Sequence, residues 1–163
     1  MASGEYKLIK DNGSTLDEKT ILAEEAKALS FDSSLNPVMK SIARLVEVKI
    51  VADATALTTG DGIATFTIPA ELNGFKLTRA EMAVKTASSS GSVSAMIRNI
   101  TTAHDMLSTS ITIDANELNS YSAATPSVIN ATYQTVSTGD TIAIDLDSVG
   151  TGTKGGDIIL SFI

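Results

Sequence analysis

The sequence predicts an all-β fold: an antiparallel β-sandwich, jelly-roll-like, with a short, partly helical N-terminal segment. Three observations carry that expectation. Serine (19) and threonine (20) make about a quarter of the 163 residues, beside a hydrophobic content of 43%. Thr, Val and Ile suit pleated strands because their branched Cβ stiffens χ1 and packs against neighbours on the sheet. From residue 46 onward, short stretches of alternating polarity recur at roughly 8–14-residue spacing, with Gly, Asn, Asp or Ser at the breaks. The same region holds no helix-length periodic segment that would serve as a βαβ crossover.

The first 50 residues read differently. They hold 7 of the 12 basic and 8 of the 19 acidic side chains, so charge thins sharply near residues 44–50. Two domains follow: an anchoring segment over 1–45 and a sandwich over 46–163. Thr15 to Glu18 has the spacing of a capping box, and the run from Leu16 to Leu29 (LDEKTILAEEAKAL) is rich in good helix formers. The expected helix spans about 15–29. Asn36-Pro37 reads as a cap followed by a first-turn proline, and Val38, Ile42 and Leu45 fall at i, i+4 and i+7. That spacing predicts a second helix over about 37–44. Neither helix is long enough to be stable alone in water. Their apolar residues Leu16, Ile21, Leu22, Leu29, Val38, Ile42 and Leu45 are therefore the expected docking surface.

Beyond the boundary the period becomes two. Val46, Val48 and Ile50 alternate with Glu47, Lys49 and Val51. Gly60-Asp61-Gly62 turns the chain into IATFTIP, which Pro69 ends because it has no amide for a ladder. After a second turn at Asn73-Gly74, FKLTRAEMAVKT buries Phe75, Leu77, Ala80, Met82 and Val84. The change of parity between Leu77 and Ala80 predicts a bulge near Thr78-Arg79. Ser88–Ser92 is a loop. Strands are then expected over 93–100, 108–113, 127–133, 141–147 and 157–162.

Composition excludes several chemistries. With no cysteine there is no disulfide framework, thiolate metal site or cysteine nucleophile. A net charge of −7 argues against nucleic acid as a partner, which calls for a basic face. The N-terminal MASGEYKLIKDNG has no apolar h-region, and no apolar run approaches a membrane span, so neither a signal peptide nor membrane insertion is expected. Asn99 and Asn130 match the glycosylation pattern and are read as strand-edge residues.

The candidates for chemistry are few. His104 is the only histidine and Asp105 follows it directly. Adjacent residues on an extended chain point apart, so this pair does not supply the two limbs of a triad. Asp145 and Asp147 lie two apart on a predicted strand, and Asp140 closes the turn before it. That spacing fits a hard-cation site or, less well, a carboxylate pair of a glycosidase, with a solvated strand face as the plainer reading. The glycine-rich stretches 60–62 and 150–156 do not match a phosphate loop, because Lys154 is followed by glycine and no helix comes next. Lys76, Arg79 and Lys85 share a strand but lack interleaved aromatics. No enzyme and no cofactor is expected. Tyr121 and Tyr133 are the aromatics that a sugar would stack on, with core or interface packing preferred for Tyr133. Ser88–Ser92 and Asn116–Thr125 are the loops that would present polar groups to a glycan.

Four stretches carry a family resemblance: TGDGIATFTIPAELNGFKL (59–77), RNITTAHDMLSTSITIDANE (98–117), AATPSVIN (123–130) and TGDTIAIDLDSVGTGTKGGDIILSF (138–162). In this order they resemble a small β-sandwich module of tailed-bacteriophage virion proteins. The resemblance implies a non-enzymatic structural role in capsid decoration, a head fibre, a collar or tail attachment. It implies a homo-oligomer, a trimer above all, bound to capsid or other virion proteins. The protein would then be assembled in the host cytoplasm and reside in the virion. The alternative is a host-glycan-binding receptor module of a tail or collar; a hydrolase using Asp145 and Asp147 is a weaker third.

Overall fold

A computed structural model describes the backbone of Lys27–Phe31 and Pro37–Ser41 and the whole of residues 43–163. The chain divides between Ile42 and Ala43 into two units.

In the first unit, β1 (Lys27–Phe31) pairs antiparallel with β2 (Pro37–Ser41), Leu29 opposite Met39 and Ser30 opposite Val38. The expected helix over 37–44 is therefore corrected: its described residues form β2, and Arg44 opens the next strand. The physical reason is length. Two turns of helix hold few internal hydrogen bonds, whereas a strand pairs its amides with a partner at once. Pro37 is tolerated because it stands first in β2. Of the helix expected over 15–29, Lys27 to Leu29 lie in β1. The rest of that segment lies outside the described residues, as do the docking candidates Leu16, Ile21, Leu22 and Ile42.

The second unit is an antiparallel β-sandwich. One sheet has the order β3 (Arg44–Ala56), β12 (Lys154–Phe162), β5 (Leu77–Ala83). The other runs β4 (Gly60–Thr67), β11 (Thr141–Val149), β6 (Val93–Asn99), β7 (His104–Asp105), and β9 (Ile111–Ile113) also pairs with β6. A small ribbon joins β8 (Leu107–Thr109) to β10 (Val128–Ile129).

Alternation explains the packing, since successive side chains leave a strand on opposite faces. Val93, Ala95 and Ile97 of β6 face inward, as do Ile158, Leu160 and Phe162 of β12, and all are buried. Ile142, Ile144 and Leu146 of β11 and Leu77, Ala80 and Met82 of β5 complete one continuous core. Each large aliphatic or aromatic group fully buried contributes about 1.5–3 kcal/mol, so this layer dominates stability. The expected bulge near Thr78 is present: the register of β5 against β12 shifts between Ser161 and Phe162. It restores inward parity from Leu77 to Ala80.

The strands expected over 108–113 and 127–133 come out shorter. The first is interrupted at Ser110, and only Val128–Ile129 of the second is extended. Among the described residues no helix is long and apolar enough to cross a membrane.

Candidate functional site

The acidic candidates come first. Asp140 is buried in the turn before β11, where its Oδ2 accepts from Asn99 Nδ2 at 2.9 Å and from the Ser137 amide at 2.9 Å. Asp145 is also buried, and its Oδ1 accepts from the Gly62 amide at 2.6 Å, tying β11 to the start of β4. Asp147 is exposed. Its carboxyl is pushed above the usual range by desolvation first, and then by the charges of Asp145, Asp61 and Asp105. The three candidates do not converge on one point. Among the described residues no group of three or more His, Asp or Glu is arranged to hold a metal ion.

A charged cluster that the sequence did not flag surrounds Asp157. Ile158 and Leu160 of β12 face the core, so Asp157 faces outward, yet its side chain is only 7% exposed. Lys49 of β3 and Lys85 beyond β5 close over it, with Nζ–O distances of 2.9 and 3.1 Å. Burial pushes the Asp157 carboxyl up, but the two lysines outweigh it and hold it below the usual range. Lys49 is held above the usual lysine range, first by Asp53 (Nζ–Oδ1 2.7 Å) and then by Asp157. Gly155 permits the closure: at φ +62°, an added Cβ would stand 2.7 Å from Lys85 Cγ and 2.9 Å from Asp53 Cα. This cluster is a clamp between strands.

The polar loops behave alike. Ser88, expected to present its hydroxyl, is buried; its Oγ donates to Ser90 O at 2.7 Å and accepts from the Thr151 amide at 2.9 Å. The loop 88–92 is thereby fastened to the β11–β12 turn. In the 116–125 segment, Asn119 Oδ1 accepts from the Tyr121 amide and Ser120 Oγ from the Met82 amide. Tyr121 stays exposed, beside a shallow cleft of about 230 Å³ that Arg79, Glu81 and Ser127 also line.

A second assembly lies at the β6–β7 edge of the five-stranded sheet. A cleft of about 450 Å³ is lined by Arg98, Ala103, His104, Asp105, Asn130 and Tyr133. Arg98 on β6 is the cross-strand partner of Asp105 on β7. The rings of His104 and Tyr133 stack with centroids 3.8 Å apart and planes 10° from parallel. Tyr133 is 39% exposed and lies outside the core.

Local bonds shape the turns that carry both rings. Asn99 Oδ1 accepts from the amides of Thr101 and Thr102 at 3.1 and 3.2 Å, shaping the turn that leads to His104. Within that turn Ala103 has φ 59°, a left-handed conformation costly for a residue with a Cβ. On the other wall, Asn130 Oδ1 accepts from the Thr132 amide at 3.1 Å, and the Tyr133 amide donates to Asn130 O at 3.1 Å. Asn99 is buried and bonded, which leaves it unsuited to carry a glycan. No family model, no curated protein and no solved structure matches the chain.

Sequence reasoning singled out His104, Asp105 and Tyr133 but did not join them, and it passed over Arg98, Ala103 and a role for Asn130 here. Arg98 and Tyr133 are 35 positions apart, and no local spacing signals their meeting.

Proposed function

We propose that this chain is a non-enzymatic structural protein of a bacteriophage virion: an oligomeric capsid-decoration or head-fibre-type protein, trimeric, docked through its N-terminal segment. One observation carries the non-enzymatic part: the buried acidic side chains are engaged with protein groups. Asp140 bonds Asn99 and Ser137, Asp145 bonds Gly62, and Asp157 sits between Lys49 and Lys85. A general acid or base must reach substrate with its titratable oxygen, and these carboxylates are occupied by protein groups.

The virion part rests on the resemblance of residues 60–163, and the docking part on the division at Ile42. β3, 13 residues long, and β4 are outermost in their sheets among the described residues. Outer edges offer unpaired amides and carbonyls to a further chain, which supports assembly with copies of itself and with capsid or other virion proteins. We read the sandwich as jelly-roll-like because the chain changes sheets at β3–β4, β4–β5, β5–β6 and β11–β12. A host-glycan receptor module of a tail or collar is the second reading, favoured by Tyr133 standing at the surface among polar groups.

The test is a deletion of residues 1–42, which spares β3. The truncated protein should stay folded and trimeric by sedimentation yet fail to enter particles during phage assembly. Normal incorporation of the truncated form would overturn the docking role, and a monomeric full-length protein would overturn the oligomer.

A further inference from the structure

We infer that the cleft between β6–β7 and the 130–133 turn is a binding site for a neutral pyranose sugar. The inference concerns the cleft alone and stands apart from the virion assignment.

Its lining has the chemistry that such a ligand needs. The stacked rings of His104 and Tyr133 form a flat, partly apolar slab, against which the C–H face of a pyranose packs. Around it stand a planar cation (Arg98) and a carboxylate (Asp105), with the Asn130 carboxamide keeping one N–H to offer, since its Oδ1 accepts from the Thr132 amide and its Nδ2 donates to Asp105 O at 3.4 Å. Vicinal hydroxyls both donate and accept, so they pair with a carboxylate and with guanidinium or amide N–H groups together. A few placed polar groups beside an aromatic surface are the usual composition of a small-ligand site.

Other ligand classes fit less well. Of the six lining residues only Ala103 is aliphatic, too little to seat an apolar peptide side chain. A nucleotide would stack on the slab, but Arg98 is the only Lys or Arg in the lining to meet its phosphates. Charge also disfavours acidic sugars. Asp105 is in the cleft, Asp105, Asp145 and Asp61 all act on Asp147, and the chain carries −7.

The cleft is also set in advance. Ala103 is held at φ 59° by a turn that the buried Asn99 caps, and such strain persists only where surrounding bonds enforce it. The same turn is anchored to β11 through the Thr141 amide, which donates to Thr101 Oγ1 at 2.9 Å. Tyr133 follows an Asn130 turn on the opposite wall. Both rings are thus positioned by backbone geometry, which reduces the ordering that binding must impose.

The experiment is a titration of the full-length protein with methyl glucoside, methyl galactoside, methyl mannoside and methyl glucuronide, followed by amide NMR. At least one neutral glycoside should shift the amides of residues 98–105 and 130–133, with a dissociation constant in the millimolar range, as suits one sugar ring. Tyr133→Ala should weaken that binding about tenfold, the scale of one aromatic contact, while Tyr133→Phe retains it. Tyr121→Ala, in the other cleft, should leave it unchanged. Preserved shift dispersion in each variant separates lost binding from lost folding.

The inference is overturned if no neutral glycoside moves these amides, if the glucuronide binds more tightly than the neutral sugars, or if the response follows Tyr121 instead. Unchanged binding in folded Tyr133→Ala would overturn it as well.

Discussion

The Asp157 clamp and the His104–Tyr133 cleft stand on different sheets of one sandwich and use polar residues in opposite ways. At the clamp, a buried carboxylate meets two lysines, and Gly155 lets β3 and Lys85 close in. Every charge has a protein partner, so the cluster holds β3, β12 and the end of β5 together. At the cleft the rings and polar groups remain at the surface, and the backbone is the part under constraint, at Ala103. Among polar clusters on a sheet, then, burial with pairing marks a structural joint. Exposure on a strained, well-bonded turn leaves rings and polar groups open at the surface. Four substitutions break or sharpen that contrast.

The glycines on the joint side should matter most. Gly150 has φ +61°, and an added Cβ would stand 2.6 Å from Ser88 Cβ and 2.8 Å from Gly91 O. Gly150→Ala should lower unfolding free energy by about 2–4 kcal/mol in urea denaturation, from left-handed strain and overpacking together. A loss under ~1 kcal/mol would mean that the 88–92 loop yields easily and is no joint.

Asp157→Asn should cost about 1–2 kcal/mol at pH 7, because the lysines it pairs are half exposed and screened. Its carboxyl titrates lower in the folded protein than in the unfolded chain, so its contribution is complete above the unfolded value of about 3.9. It is lost as pH falls through the lower, folded value. Thermal melts should show an acid-side fall in stability that is shallower in Asp157→Asn than in the parent. Parallel curves would place the acid sensitivity elsewhere.

On the cleft side the expected sign reverses. Ala103→Gly relieves left-handed strain and should raise stability by up to about 1 kcal/mol, less what glycine adds to unfolded-chain entropy. Amide exchange across residues 100–104 should quicken at the same time, since the turn loses its constraint. Slower exchange would show that strain at Ala103 does not shape the turn.

Asp147→Asn has the smallest expected effect. The folded protein holds this carboxyl above its usual range, so its ionised form opposes folding near neutral pH. Removing the charge should stabilise by about 0.5 kcal/mol, in the range of exposed charge pairs, and the gain should fade as the pH approaches 4. A destabilised variant would show that Asp147 pairs with a cation.

The sandwich was legible because alternation is local. Leu77, Ala80, Met82 and Val84 were assigned to the core with their bulge, and each is buried. The β2 segment mimics a helix because Val38, Ile42 and Leu45 fit a helical stripe, and nothing within those residues reports a pairing partner at 27–31. That the glycines of the 150–156 stretch admit Ser88, Lys85 and Asp53 is a fact of neighbours distant in sequence. The acidic trio Asp140, Asp145 and Asp147 was grouped by spacing, but burial and hydrogen bonding gave each a different environment.

By itself, then, the sequence determined the strand class, the bulge near Thr78 and the inward face of β5. Side-chain alternation and β-branching act over two to eight residues, and those effects are written where they operate. Tertiary structure alone decided which polar residues became joints and which became a surface. Asp157 meets Lys49 and Lys85 only because β12 lies between β3 and β5. His104 meets Tyr133 only because β7 and the turn after β10 close on the same edge. The energy of a charge or a ring depends on what stands within a few ångströms of it, and in this fold those neighbours come from other strands.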